Sequence, residues 1–383
     1  MPLYLDRTTS ADGPGPRESS RCGAGMHETS DRLRPTLTIG LVNNMQDGAL
    51  ETTERQFISL LEAASEDIVV RLRFYQLPGI LRGASATRHV ANRHSDIETM
   101  WDAPLDGLVV TGREPSTTRL QDEPYWDSFV RLLGWAHDHT HSTIWSCLAA
   151  HAAVLQMDGI PRLRSAHKNH GLFDCQLLSD HPMTAGTPSH FRIPHSRWNG
   201  LDEKQLVEHG YEILSRSECV GVDAFVRENR SLFLFFQGHP EYEANTLLLE
   251  YRRDVGRYLR GEAAVYPSLP QSYFDDHTTA ALREIGHEAR LFPREELLSD
   301  VSAALEGAKL QHSWQPTAVS IYRNWLSYLA AAKGLPFPRS TDVSALTDIS
   351  KPKRVIATAE FHARHAPMPV RSLQDEPPSS PAL

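Results

Sequence analysis

Cysteine is scarce in this 383-residue sequence: Cys22, Cys147, Cys175 and Cys219 are the only four, and they are widely scattered. No CxxC pair offers a zinc site, no other metal-ligand pattern stands out, and the spacing argues against a disulfide framework. Long hydrophobic runs are missing too. Stretches such as Leu232 to Phe236 fall far below the ~18 residues of a membrane helix, and residues 1–35 contain no apolar stretch of the signal-peptide kind. The cytosol is the expected compartment, with no membrane partner. Positive charge is not in excess, since 39 Lys+Arg face 48 Asp+Glu for a net charge of -9. The chain therefore has no general footprint for nucleic acid. No internal repeat is present. A chain this long, 40% hydrophobic and 23% charged, can bury one large core and carry extensions.

Residues 1–35 are rich in Ser, Gly, Pro and Arg without apolar periodicity, and read as a flexible arm. From residue 36 short β-rich runs alternate with amphipathic helical stretches. Strands are expected over 36–44, 69–77, 106–112 and 142–146, with helices over 51–65, 125–139 and 148–157. Such alternation implies an α/β fold: a mostly parallel sheet covered by helices on both faces, with its sites at the carboxyl ends of the strands. Strands at 171–178, 211–216, 222–227 and 231–236 and a helix at 242–259 complete the body, 36–260. Helical patches at 278–289, 294–306 and 322–332 form an extension, 261–335, that offers a surface for a homodimer. The Pro-rich tail, 336–383, is expected to be disordered. Cys175 and Cys219 fall in strand-like runs and read as small buried hydrophobes.

Cys147 is placed differently. It stands where the strand ending at Ser146 meets the helix beginning at Leu148, followed by the small Ala149 and Ala150. A thiol there projects from the end of the sheet, and the positive helix terminus favours its thiolate. Backbone N–H groups beside it can hold an oxyanion. Some ninety residues on, the strand 231–236 runs into Gln237-Gly-His-Pro-Glu241, which puts His239 on the same sheet edge. Glu241, two residues later, can orient the imidazole and support its charged form. Alone, His239 would be a loop residue and Glu241 a first-turn helix acid contributing ~0.5 kcal/mol. With Cys147 the three complete a nucleophile, base and orienter.

These residues, in this order, resemble the class I glutamine amidotransferase-like fold. Within it the sequence is most similar to the homoserine O-acyltransferases, the homoserine O-succinyltransferase or transsuccinylase family. The matching stretches include Val42-Asn-Asn-Met45, Thr53-Glu-Arg-Gln-Phe57, Asp106-Gly-Leu-Val-Val-Thr-Gly112, Ser146-Cys147, Pro194-His-Ser-Arg197, Gly238-His-Pro-Glu-Tyr242, Arg253-Asp-Val255 and Asn324-Trp-Leu326. The resemblance implies ping-pong acyl transfer in methionine biosynthesis. Cys147 would take the acyl group from succinyl-CoA or acetyl-CoA, a co-substrate rather than a resident cofactor, and His239 with Glu241 would activate the homoserine hydroxyl. Lys168, Ser196 and Arg253 match the substrate-binding positions, and cations suit an amino-acid carboxylate.

Two departures from the family pattern bear on chemistry. Met45 is followed by Gln-Asp-Gly rather than a lysine pair, so another oxyanion donor is expected. The acyl-selecting position, Gly in succinyl- and Glu in acetyl-transferring members, falls on Ser116, or on Thr117 if the register shifts by one. A small neutral residue leans towards succinyl. Acylation of another hydroxy amino acid such as serine is an alternative. So is a glutamine-hydrolysing amidotransferase, although Trp145 and Ala149 stand where such enzymes carry glycines around the nucleophile.

Overall fold

Apolar runs of five to seven residues separated by amphipathic helices become, in the computed structural model, a single ten-stranded sheet with helices on both faces. Residues 3–5 and 36–335 are described, all within the unit Met1–Pro352. The first half comprises β1 (Leu3–Leu5), β2 (Thr36–Val42), α1 (Asp47–Ser65), β3 (Val69–Tyr75), α2 (Ala84–Arg93), β4 (Gly107–Thr111), α3 (Trp126–His139), β5 (Ser142–Ser146) and α4 (Leu148–Asp158). The second comprises β6 (Leu163–Leu177), β7 (His190–Gly200), α5 (Glu203–Glu208), β8 (Glu212–Ser217), β9 (Gly221–Glu228), β10 (Leu232–Phe236), α6 (Thr246–Leu259), α7 (Asp276–Leu291), α8 (Leu297–Glu306) and α9 (Gln315–Ala332). The strand order is β1-β3-β2-β4-β5-β10-β9-β8-β6-β7. Pairing is parallel from β1 to β10 and antiparallel beyond it.

Strands β4, β5 and β10 are buried along their whole length, as expected where helices cover both faces. The two-residue period divides their side chains. Trp145, Phe233 and Phe235 pack with Phe129 of α3 and Ala153 of α4 on one face. On the other, Ile144 and Leu234 pack with Phe57 of α1 and with Trp325 and Leu326 of α9. The expected fold, a mostly parallel covered sheet with helical C-terminal additions, is the one observed. A further cluster joins Tyr251 and Val255 of α6 to Leu282 of α7 and Val301 of α8.

Several expectations change. Leu3–Leu5, assigned to the flexible arm, instead pair in parallel with Val70–Leu72 at the open sheet edge; exposed strand edges offer N–H and C=O groups that even a short segment can satisfy. The rest of the arm, Cys22 within it, and the Pro-rich tail lie outside the described residues. Strand β7 has no clean apolar alternation and contains Pro194, which a strand tolerates at the sheet edge, where β7 lies. Cys175 is buried in β6, but Cys219 is exposed in the turn between β8 and β9 rather than in a strand. Among the described residues no helix is long and apolar enough to cross a membrane.

Helix α9 belongs to the core. Trp325 is fully buried and donates its indole N–H to the Ser142 hydroxyl at 2.9 Å, which in turn donates to the Leu232 carbonyl at 2.6 Å. Trp325→Ala should therefore destabilise the protein by about 3–5 kcal/mol in denaturant unfolding. A loss within about 1 kcal/mol would mean the helix is peripheral.

Candidate active site

Strands β5 and β10 pair in parallel register ending at Ser146 opposite Phe236, so the loops after them leave the sheet side by side. The Cys147 N–H extends the ladder, donating to the Phe236 carbonyl at 2.7 Å. Cys147 itself adopts φ +52° and ψ −113°, a strained conformation for a side-chain-bearing residue, at the N-cap of α4. Its carbonyl accepts the Ala150 N–H at 3.0 Å. A Cβ on Gly112, after β4, would lie 2.5 Å from Leu148 Cβ and 2.7 Å from the Ala149 nitrogen. Only glycine lets the β4 loop close against the first turn of α4.

The second loop is fixed as tightly. The His239 N–H donates to the Pro194 carbonyl at 2.8 Å. A Cβ on Gly238 would meet Asp223 Oδ1 and Ile193 Cγ2, each at 2.5 Å. Gln237 is fully buried: its amide donates to the Val222 carbonyl at 2.7 Å and its oxygen faces His151 Nε2 at 2.9 Å. His239 Nδ1 lies 2.8 Å from Glu241 Oε1, and the imidazole also interacts electrostatically with Cys147. Its ring stacks on Tyr242 with centroids 4.2 Å apart. Burial disfavours the imidazolium, but the charges of Cys147 and Glu241 outweigh it and hold the His239 pKa well above the ordinary histidine value. The structure thus brings Cys147, His239 and Glu241 together.

The three lie in a cavity of about 550 Å³. Lys168, Ser196 and Arg253 line the same cavity. One carboxylate gathers the two cations: Asp254 Oδ2 takes Lys168 Nζ at 2.9 Å, and its Oδ1 takes Arg253 Nε and Nη2 at 2.9 and 2.8 Å. Ser196 donates to Glu250, which also accepts the Tyr242 hydroxyl at 2.8 Å. The sequence reading missed Glu250. Its signal was helical spacing alone, one turn before Arg253 and Asp254 on α6.

Ser116 is not brought to the cavity. Glu123 accepts the Ser116 N–H and hydroxyl at 2.6 and 2.9 Å and the Thr117 N–H and hydroxyl at 2.8 Å each, so the loop curls onto Glu123. From that loop Gly112, Arg113, Glu114 and Pro115 form the wall instead. Two other clusters, Glu54/His89/His94 and Cys175/His195/Asp223, could offer three metal ligands each. In the first, Glu54 already holds both histidines, His94 at 2.7 Å and His89 at 3.0 Å.

The model of the family described as homoserine O-succinyltransferase matches residues 24–334. The homoserine O-succinyltransferase of Rhodopseudomonas palustris is 41% identical over 334 residues, covering 86% of this chain and 99% of the relative. That of Bradyrhizobium japonicum is 46% identical over 299 residues, covering 77% and 90%. Among solved structures, a glutamine amidotransferase from Methylobacillus flagellatus is similar at 17% identity and a TM-score of 0.43, covering 81% of this chain and 98% of its own.

Three buried histidines, His151 and His170 in the cavity wall and His195 beside Gly238, resist protonation. Burial pushes His151 down to about 3 and His170 and His195 to about 4, against ~6.5 in an unfolded chain. Their neutral forms are stabilised by folding, so nothing is lost above pH ~6.5. Below it the unfolded chain binds protons that the folded chain refuses, and stability falls as pH drops towards about 4. The urea midpoint should be flat from about pH 8 to 7 and decline steadily from about 6.5 to 4.5. A flat midpoint through that range would contradict the assignment of neutral buried imidazoles.

Proposed function

The chain belongs to the homoserine O-succinyltransferase family, and from that membership we propose that it transfers a succinyl group from coenzyme A to the hydroxyl of homoserine through a Cys147 thioester. The observation that carries the reading is one cavity lined by Cys147, His239 and Glu241 together with Lys168, Arg253 and Asp254. A thiol nucleophile with its acid–base partner serves acyl transfer, while fixed cations suit the carboxylate of an amino acid.

In the first half-reaction the Cys147 thiolate attacks the thioester carbonyl carbon of the donor. The negative charge on the carbonyl oxygen meets the Leu148 N–H at the start of α4, beside the Gly112 loop that stands in for the absent lysines. Collapse expels the coenzyme A thiolate, which takes a proton from the His239 imidazolium. The neutral His239 then accepts the homoserine hydroxyl proton as that oxygen attacks the acyl-Cys147 carbonyl. Collapse releases O-succinylhomoserine and restores the thiolate and imidazolium pair.

The pair also explains how one histidine serves both steps. The Cys147 charge raises the His239 pKa ahead of Glu241 in the free enzyme. Acylation makes the sulfur neutral, removes that support, and leaves an imidazole more ready to act as base.

Intact-mass measurement after mixing with succinyl-CoA should find one succinyl group on the wild type and none on Cys147→Ala; homoserine should discharge it. His239→Ala should lower turnover by about 10²–10⁴-fold. Ammonia release from glutamine without any release of coenzyme A would sink the proposal. In NMR titrations Cys147→Ser should bring the His239 pKa down towards the ordinary value; an unchanged pKa would rule out the charge coupling.

A further inference from the structure

Two arginines of the cavity wall, Arg113 and Arg162, stand without a side-chain partner among the described residues. Arg113 follows Gly112 on the loop after β4, Arg162 leads from α4 into β6, and both line the cavity. Among the described residues neither guanidinium forms an ion pair or a hydrogen bond, and Arg113 Nε is buried without an acceptor. Both act electrostatically on Tyr125, so they flank one phenol. The neighbouring acids are engaged. Asp47 is held by Arg82 at 3.2 Å and by the Gly83 N–H at 2.7 Å, while Glu123 collects the N–H and hydroxyl groups of Ser116 and Thr117. Glu114 faces Arg257 at 4.0 Å.

Two guanidinium groups left unpaired against a substrate cavity are costly unless a ligand neutralises them. The support is rigid: Glu123 anchors the far side of the loop, and Gly112 packs on Leu148, the residue after Cys147. Arg113 is therefore held near the acyl-carrying sulfur with its buried Nε–H edge unsatisfied, and a turn of the guanidinium would bring that edge to an anion entering the cavity. We propose that Arg113 and Arg162 form the subsite for the distal carboxylate of a dicarboxylic acyl donor, which is thus chosen by the charge at its far end. This rests on the acyl-transfer reading above and shifts donor selection from Ser116 to the arginine pair.

Succinyl-CoA and butyryl-CoA have acyl chains of equal length, and only the first ends in a carboxylate. With homoserine as acceptor, the wild type should favour succinyl-CoA. Arg113→Gln should lower kcat/KM for succinyl-CoA by about 10- to 100-fold while leaving butyryl-CoA within about twofold. Arg162→Gln should act in the same sense, and Arg113→Lys should retain part of the preference because charge survives without the fork. Thermal unfolding of each variant separates misfolding from loss of recognition. An equal fall for both donors would overturn the inference, because the arginines would then serve coenzyme A phosphates or the oxyanion; undiminished succinyl transfer by the double variant would also overturn it. Failure of the underlying reading looks different, since the wild type would then transfer neither group to homoserine.

Discussion

The site depends on one ladder of hydrogen bonds, the parallel pairing of β5 with β10. It ends with the Cys147 N–H on the Phe236 carbonyl at 2.7 Å. That bond fixes the backbone of Cys147 in a conformation that costs ~1–3 kcal/mol, and it sets the start of the loop bearing His239 and Glu241. A slip of one residue in this register would turn every side chain of β10 to the opposite face. Leu234 and Phe236 would then leave the face covered by α9, and Phe235 would leave Tyr211 and Phe225. Because both faces are packed, correct register in the core enforces correct alignment of the site.

Above that ladder, the cavity is organised by charged groups sharing partners. Glu241 orients His239, Glu250 ties Ser196 to Tyr242, and Asp254 holds Lys168 and Arg253 together. The stacking of His239 on Tyr242 joins the first set to the second. Burial opposes ionisation of Glu250, yet the Lys168 charge and the Ser196 and Tyr242 hydroxyls keep its carboxyl below the usual range. Asp254 fixes the Lys168 and Arg253 cations at the cavity wall, and under the proposed function less ordering entropy would be lost when a ligand carboxylate arrives.

Much of this was legible in the sequence because it rests on periodicity and local chemistry. The helices over Glu51–Ser65 and Tyr125–His139, the strand Ser142–Ser146 and the elbow at Cys147 needed only apolar spacing and a turn. Long-range features left weaker traces. The edge strand β7 is built from polar residues around Pro194, and its pairing to β6 comes from a partner some twenty residues away. Ser116 was found by counting from Thr111-Gly112, but counting along a loop cannot reveal that Glu123 collects its N–H and hydroxyl. Arg113 and Arg162 were invisible for the opposite reason: what distinguishes them is that neither side chain finds a partner among the described residues, which only the folded chain displays.

The C-terminal extension joins stability to the site in a way neither half of the chain could alone. From α9, Trp325 bonds to Ser142 at the start of β5 while Tyr322 stacks on Phe236 at the end of β10. Tyr322 is fully buried, and after burial itself the charge of Glu241 is what raises its pKa, so the helix lies behind the carboxylate that orients His239. The Trp314 indole donates to the Tyr242 carbonyl at 2.9 Å, and Ala263, Val265, Tyr266, Pro267 and Ser268 form part of the cavity wall. Keeping water from Glu241 strengthens its pull on His239, since opposite charges attract more in a poorly solvated site. A chain lacking α9 would lose more than packing area, because hydration of Glu241 would also weaken its support of the imidazolium.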